Sequence, residues 1–298
     1  VVEQAETHHH KSSRRVLQLA LAANGILLVA QVVGAIAFSS LALLADAGHQ
    51  GSDVVALIVA VVAQMMIMRP PSDHYTFGLR RSEVMGALVN AVFLLIVAVW
   101  VIVEASRRIG NPHDVSGWGV LTLGAVGLVI NGGCAWLLHR TADRSLNIRG
   151  AVLHLGGDAA GSLGVLTAGA TVVLWGANWV DPAVSYLIAG LLLWSGASLV
   201  RRTTRVLLEG TPLGIDVDEL SDVMKAHERV ADIHHMHVWS VDSTMVALSA
   251  HVQVSADSLH DAQLVATDIE RRLALHGVAH ATLALECHPC ETTHPAPE

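Results

Sequence analysis

Hydrophobic and polar positions divide this chain into two unequal parts. Over residues 16–208 apolar runs dominate and are broken only by short polar stretches, whereas 209–298 mixes apolar and polar positions as a water-exposed domain does. Crossing a hydrocarbon core takes roughly 20 helical residues. Six runs reach that length, approximately over 16–38, 41–68, 83–106, 117–139, 150–175 and 182–200. The breaks fall at Ser39-Ser40, at 69–73, at Asn111-Pro112, at 140–149 and at 178–182. The last break places Asp181 and Pro182 at the N-cap and first helical position of the sixth span. Beyond Thr211 the periodicities predict a helix over 216–228, strands over 232–240 and 244–254, a helix over 259–276 and a strand over 281–287. The predicted architecture is an all-α bundle of six transmembrane helices followed by a small α+β domain of order αββαβ. Its boundaries are a tail over 1–13, a transmembrane domain over 14–208 and a polar domain over 209–298.

Composition supports that division. Of 298 residues 52% are apolar and only 15% charged, against about 25% charged in soluble chains. The apolar run after Arg15 is long enough to stay in the membrane, so no signal-peptide layout is expected. Lys11, Arg14, Arg15, Arg69, Arg80, Arg81, Arg140, Arg144, Arg149, Arg201, Arg202 and Arg205 fall on one side of the predicted spans, and only Arg107 and Arg108 on the other. Basic residues collect on the cytoplasmic side, so both termini and the polar domain are expected in the cytoplasm. The net charge of −8, with arginines at helix ends rather than in a patch, gives no case for nucleic acid. Cys134, Cys287 and Cys290 are too few for a disulfide framework. His8-His9-His10 carries no functional weight here.

The spans contain one motif twice. His49-Gln-Gly-Ser-Asp53 and His154-Leu-Gly-Gly-Asp158 each set a histidine and an aspartate four residues apart, on one face of a helix and one turn from each other. An ionisable group at mid-membrane costs about 2.5–3.5 kcal/mol, which makes function the default reading. Buried ion pairs kept only for packing are a poor exchange for that desolvation. Two imidazoles and two carboxylates on facing helices suffice for a four-coordinate divalent ion, zinc above all, with cobalt and cadmium as companions. Asp46, on the same face as His49, is a candidate to orient that histidine or to carry protons. Asn24, Gln31, Asn90 and Asn131 are read as interhelical hydrogen-bond formers.

The polar domain gathers His234, His235, His237, His251, His260, Glu286, Cys287, His288 and Cys290. Spacing does not choose among them. Strand alternation puts His235 and His237 on one face and His234 on the other. His227-Glu228 lacks the second histidine of a metalloprotease helix and reads as a helix end.

Four stretches carry a family resemblance: Ser40-Leu-Ala-Leu-Leu-Ala-Asp-Ala-Gly-His49, Tyr75-Thr-Phe-Gly-Leu-Arg80-Arg-Ser-Glu83, Leu146-Asn-Ile-Arg-Gly-Ala-Val-Leu-His154-Leu-Gly-Gly-Asp158 and Trp179-Val-Asp-Pro-Ala. Together they resemble the cation diffusion facilitator transporters, from about Arg15 to Cys290. The resemblance implies a homodimeric, proton-coupled exporter of divalent metal in the lipid bilayer, with a metallochaperone-like cytoplasmic domain. Histidine in both pairs is associated with the family's zinc branch, which makes His49, Asp53, His154 and Asp158 the transport site. His234-His-Met-His-Val-Trp239 is similar to the family's cytoplasmic segment, His251 falls on its strand-two histidine, and Glu286 and His288 occupy its C-terminal ligand positions. By that likeness His234, His237, His251, Glu286 and His288 form a cytoplasmic zinc site. The stretch 140–149 lacks the histidine-rich insertion of many eukaryotic members, which favours a bacterial plasma-membrane type. Asp73 and His74 alone do not complete the loop site of some relatives, so a solvated loop is expected there. An intramembrane metalloenzyme needs an open coordination position, and four protein ligands leave none; a membrane-anchored sensor has no need of ligands at mid-membrane.

Overall fold

The structure, a computed structural model, describes residues 22–110, 113–140 and 146–287. Six apolar helices come first among the described residues: α1 (Ala22–Ala37), α2 (Leu41–Ile67), α3 (Ser82–Gly110), α4 (Gly117–His139), α5 (Leu146–Trp175) and α6 (Val180–Leu207). Then follow α7 (Val217–Lys225), β1 (Val230–Ser240), β2 (Val246–Val254), α8 (Leu259–Leu275) and β3 (Val278–Glu286). The predicted order αββαβ is the observed one. Five of the helices are long and apolar enough to cross a membrane, and α1 is a shorter apolar helix. Their outer surfaces carry exposed Val129, Leu153, Leu191 and Trp194, a face that lipid covers and water would not tolerate.

Packing divides the described residues into two compact units. One comprises the described residues up to Ile58 with Asn90–Ser198; the other comprises Val59–Val89 with the described residues from Leu199. The ends of α2 and α3 with their connecting loop group with the C-terminal part.

In the first unit small residues let helices meet closely. A Cβ at Gly124 would lie 2.6 Å from the Leu166 main-chain nitrogen, and one at Gly169 would lie 2.4 Å from that of Leu121. Alanine at either position would drive α4 and α5 apart, so these glycines set the approach of the two helices. Around this contact Leu41, Leu43, Leu94, Val101, Val120 and Val165 are buried. The N-terminus of α2 is capped from another helix. Asp181 is fully buried and accepts hydrogen bonds from the Ser40 hydroxyl (2.5 Å), the Leu41 N–H (2.8 Å) and the Ala42 N–H (3.3 Å). The sequence places Asp181 at the N-cap of its own helix, but α6 begins at Val180. The carboxylate satisfies the open N–H groups of α2 instead, a stabilising arrangement at a helix N-terminus.

In the second unit the sheet has order β1-β2-β3, with β1 antiparallel and β3 parallel to β2. Helix α8 supplies the crossover that a parallel pair needs. Asp216 and Ser258 cap α7 and α8 through main-chain N–H groups. Leu248, Val252, Ile269, Leu273, Leu220 and Met224 form the core between the helices and one sheet face. On β2 alternation holds: Ala250, Val252 and Val254 point into the core and His251 to the other face.

The loop before α3 is tied to the turn between β1 and β2. Arg80 donates to Asp242 Oδ2 at 2.9 Å, and the Ser243 hydroxyl donates to Glu83 at 2.8 Å. Asp242 Oδ1 accepts from the Thr244 N–H and hydroxyl and from the Met245 N–H. Burial by itself pushes the Asp242 carboxyl up, but the Arg80 guanidinium and those three donors outweigh it and hold it below the usual carboxylate value. Asp73 and His74 lie in this loop and are exposed.

Candidate metal sites

The two repeated pairs meet crosswise. Helices α2 and α5 run antiparallel, so the first residue of one pair faces the last of the other. His49 Nε2 lies 3.5 Å from Asp158 Oδ1, and His154 Nε2 lies 3.5 Å from Asp53 Oδ2 and 3.8 Å from Asp158 Oδ2. The two imidazole rings stand 6.3 Å apart at 71°. Ligand atoms of His49, Asp53 and Asp158 fall within 4.8 Å of one another, and His154 closes the set through the two aspartates. Exposure differs across the four: the Asp158 side chain is 4% exposed, Asp53 33%, His49 34% and His154 50%. The His49 Nδ1 and Asp158 Oδ1 atoms are buried without a hydrogen-bond partner. Two imidazoles and two carboxylates at this separation are a donor set that draws in around a divalent cation.

Asp46 pairs with α1 rather than with His49. It is buried and accepts a hydrogen bond from the Gln31 amide of α1 at 2.6 Å. Its other oxygen fills space that a Cβ at Gly161 would enter, at 2.8 Å. The amide on α1 reaches the carboxylate where the imidazole one turn along α2 does not. Of the other polar residues in the spans, Asn131 donates to Ser162 at 3.4 Å. Cys134 is a free, half-buried thiol.

The second group lies on the sheet. His251 Nδ1 is 2.5 Å from Glu286 Oε1, and His234 Nε2 is 3.3 Å from Glu286 Oε2. Ligand atoms of His234, His251 and Glu286 fall within 4.8 Å of one another. The His235 ring joins them, with centroids 5.5 Å from His234 and 5.3 Å from His251. This corrects the alternation expected for β1. The ladder shifts register between His234 and His237, and His235 takes a left-handed conformation at φ 51°. A bulge of this kind re-aims side chains, so His234 and His235 both approach His251. His237 instead stands opposite Ser249 and lines a crevice of about 1260 Å³ with Trp239, Tyr75 and Arg80. His237 therefore faces away from this group, and the His235 ring stands beside it. The only trace of this in the sequence is the doublet His234-His235, which no period-two reading resolves. His288, Cys290 and His8-His10 lie outside the described residues, and Cys287 is exposed.

Comparisons with known proteins match this chain to two family domains. Residues 17–208 match the cation efflux transmembrane domain, and 212–286 match the cytoplasmic domain of cation efflux proteins. The zinc transporter ZitB of Escherichia coli (strain K12) is 37% identical over 297 residues, covering 96% of this chain and 94% of the relative. A cadmium, cobalt and zinc/H(+)-K(+) antiporter of Bacillus velezensis is 35% identical over 94% of this chain and 91% of its own length. The metal cation efflux system protein CzcD of Cupriavidus metallidurans is 34% identical over 95% and 90%. With both family domains matched in order and the paired His–Asp helices in the first of them, the chain belongs to the cation efflux (cation diffusion facilitator) family, multi-pass membrane transporters of divalent metals rather than enzymes.

Proposed function

We propose that the protein exports zinc from the cytoplasm in exchange for protons, with cadmium and cobalt as further cargo, through alternating exposure of His49, Asp53, His154 and Asp158. The observation that carries this reading is the crosswise pairing of the two His–Asp motifs, which brings two imidazoles and two carboxylates together between α2 and α5. Neutral imidazoles and ionised carboxylates bind the cargo. Metal and protons compete for the same atoms, so a gradient of one drives the other. The arginine-rich helix ends support a cytoplasmic side for both termini. In that orientation half-buried Asp53 and exposed His154 lie on the cytoplasmic side of buried Asp158, as in a site that loads from within.

The sheet domain serves as the regulatory part. Three imidazoles and a carboxylate from His234, His235, His251 and Glu286 suit resident zinc, which would tie β1, β2 and β3 together and favour the homodimer. The match to the family's cytoplasmic domain over 212–286 supports that assignment. A bacterial plasma membrane is the setting in which the relatives' names make sense.

The test is zinc uptake into inside-out proteoliposomes with and without an imposed proton gradient, acidic inside. Uptake that depends on the gradient is the expected result. Zinc binding with no gradient-linked flux would remove proton exchange from the reading.

A further inference from the structure

One buried polar group in the bundle is left unused by the transport site. Asp46 lies one helical turn from His49 on α2, on the side away from Asp53 and His154. Ser162 lies one turn from Asp158 on α5, on that same side. Between them stand Gln31 of α1 and Asn131 of α4. All four side chains are at most 1% exposed. Gln31 donates to Asp46, and Asn131 donates to Ser162. Yet Gln31 Oε1 and Asn131 Oδ1 are buried without a partner. Orphaned amide oxygens at such depth are costly unless water reaches them, so two point to a hydrated seam through α1, α2, α4 and α5. The seam continues the transport site toward the end of the bundle opposite Asp53 and His154.

We propose that this seam is the proton route on the far side of the site and that Asp46 is its proton-carrying residue. The proposal rests on the proton-exchange reading given above. The groups facing Asp46 are the Gln31 amide from α1, Gly161 and Asp158 from α5, and His49 on its own helix. Among the described residues no lysine or arginine pairs with it. A carboxyl group there, with one neutral donor, exchanges a proton rather than holding a fixed charge. With the transport site empty, a proton from water at the far side forms an O–H bond on Asp46. When a divalent ion arrives from the cytoplasmic side one turn away, that bond breaks and the proton leaves toward the cytoplasm by the end of the site at Asp53 and His154. One proton thus moves for charge compensation without displacing any metal ligand.

The experiment compares wild type, Asp46→Asn and Gln31→Leu in inside-out proteoliposomes. Two fluxes are read: ⁶⁵Zn exchange at equal zinc on both sides, which needs no proton, and net uptake driven by the gradient. In Asp46→Asn the gradient's stimulation falls about tenfold or more, while exchange persists. Gln31→Leu, which leaves the carboxylate in place but removes its donor, lowers the stimulation less; it decides the matter if Asp46→Asn fails to insert. Wild-type stimulation in Asp46→Asn overturns the proposal. So does equal loss of exchange and stimulation, because Asp46 is then a structural residue. If wild type itself ignores the gradient, the proton-exchange reading has failed, an outcome distinct from failure at Asp46.

Discussion

In the membrane, His49, Asp53, His154 and Asp158 stand on two regular helices; on the sheet, His234, His235, His251 and Glu286 stand on three strands, one of them bulged. The ligand types are alike and the backbones are not. A helix repeats its geometry, so a spacing of four in each of two helices converts directly into four atoms facing one point. The strand site depends on a register shift between His234 and His237 and on a left-handed His235. The surroundings differ as well. Asp158 is nearly sealed from solvent, while His251 and His234 remain about one-third exposed. A partner lost from Asp158 leaves a buried charge behind, whereas one lost at His251 leaves a gap that water fills.

That contrast is broken most forcefully at Asp158. Asp158→Ala is expected to cut zinc flux in vesicles to below about one-hundredth of wild type while the protein still elutes as a folded dimer, a loss larger than the 10–100-fold typical of outer-shell changes at metal sites. Flux within a few fold of wild type would mean the crosswise pair is packing and nothing more.

The sheet site has a thermodynamic readout instead. At a hundredfold excess over its Kd, zinc stabilises the domain that binds it by about 2.7 kcal/mol. His251→Ala should abolish the zinc-dependent rise in Tm of the full chain. His235→Ala should weaken cytoplasmic zinc about tenfold, about 1.4 kcal/mol, whereas His237→Ala should leave it unchanged. The reverse order for the last two would restore simple alternation along β1.

A smaller effect is expected where the loop before α3 meets the β1–β2 turn. Asp242→Ala removes the acceptor of Arg80 and of three turn donors, at a cost of about 1–3 kcal/mol in thermal unfolding. The folded carboxyl sits below its ordinary value, about 3.9 when unfolded. Its contribution is therefore complete above about pH 4 and fades only as pH falls through the lower folded value. The Tm difference between wild type and variant should be flat from pH 5 to 8; a difference that shrinks across that window contradicts the assignment.

Much of the fold was legible because its signals are local. The apolar runs, the polar breaks and the αββαβ order follow from periodicity. What could not be read depends on contacts between distant segments. Asp181 looks like the cap of its own helix, and only packing shows that it serves α2. Asp46 looks like a partner for His49, until Gln31 arrives from another helix. The doublet His234-His235 hides a bulge that a period-two reading cannot contain. The pairing of Arg80 with Asp242 joins residues far apart in sequence and has no local signature.

The central claim is that one zinc ion is held in the bundle by two imidazoles and two carboxylates. X-ray absorption on the full-length protein, with the sheet site disabled by His251→Ala and one zinc bound per chain, tests it directly. The account expects four nitrogen and oxygen neighbours at about 2.0–2.2 Å with the imidazole signature, and loss of bound zinc in the further variant Asp158→Ala. A sulfur neighbour at about 2.3 Å, or an unchanged spectrum after Asp158→Ala, would contradict it.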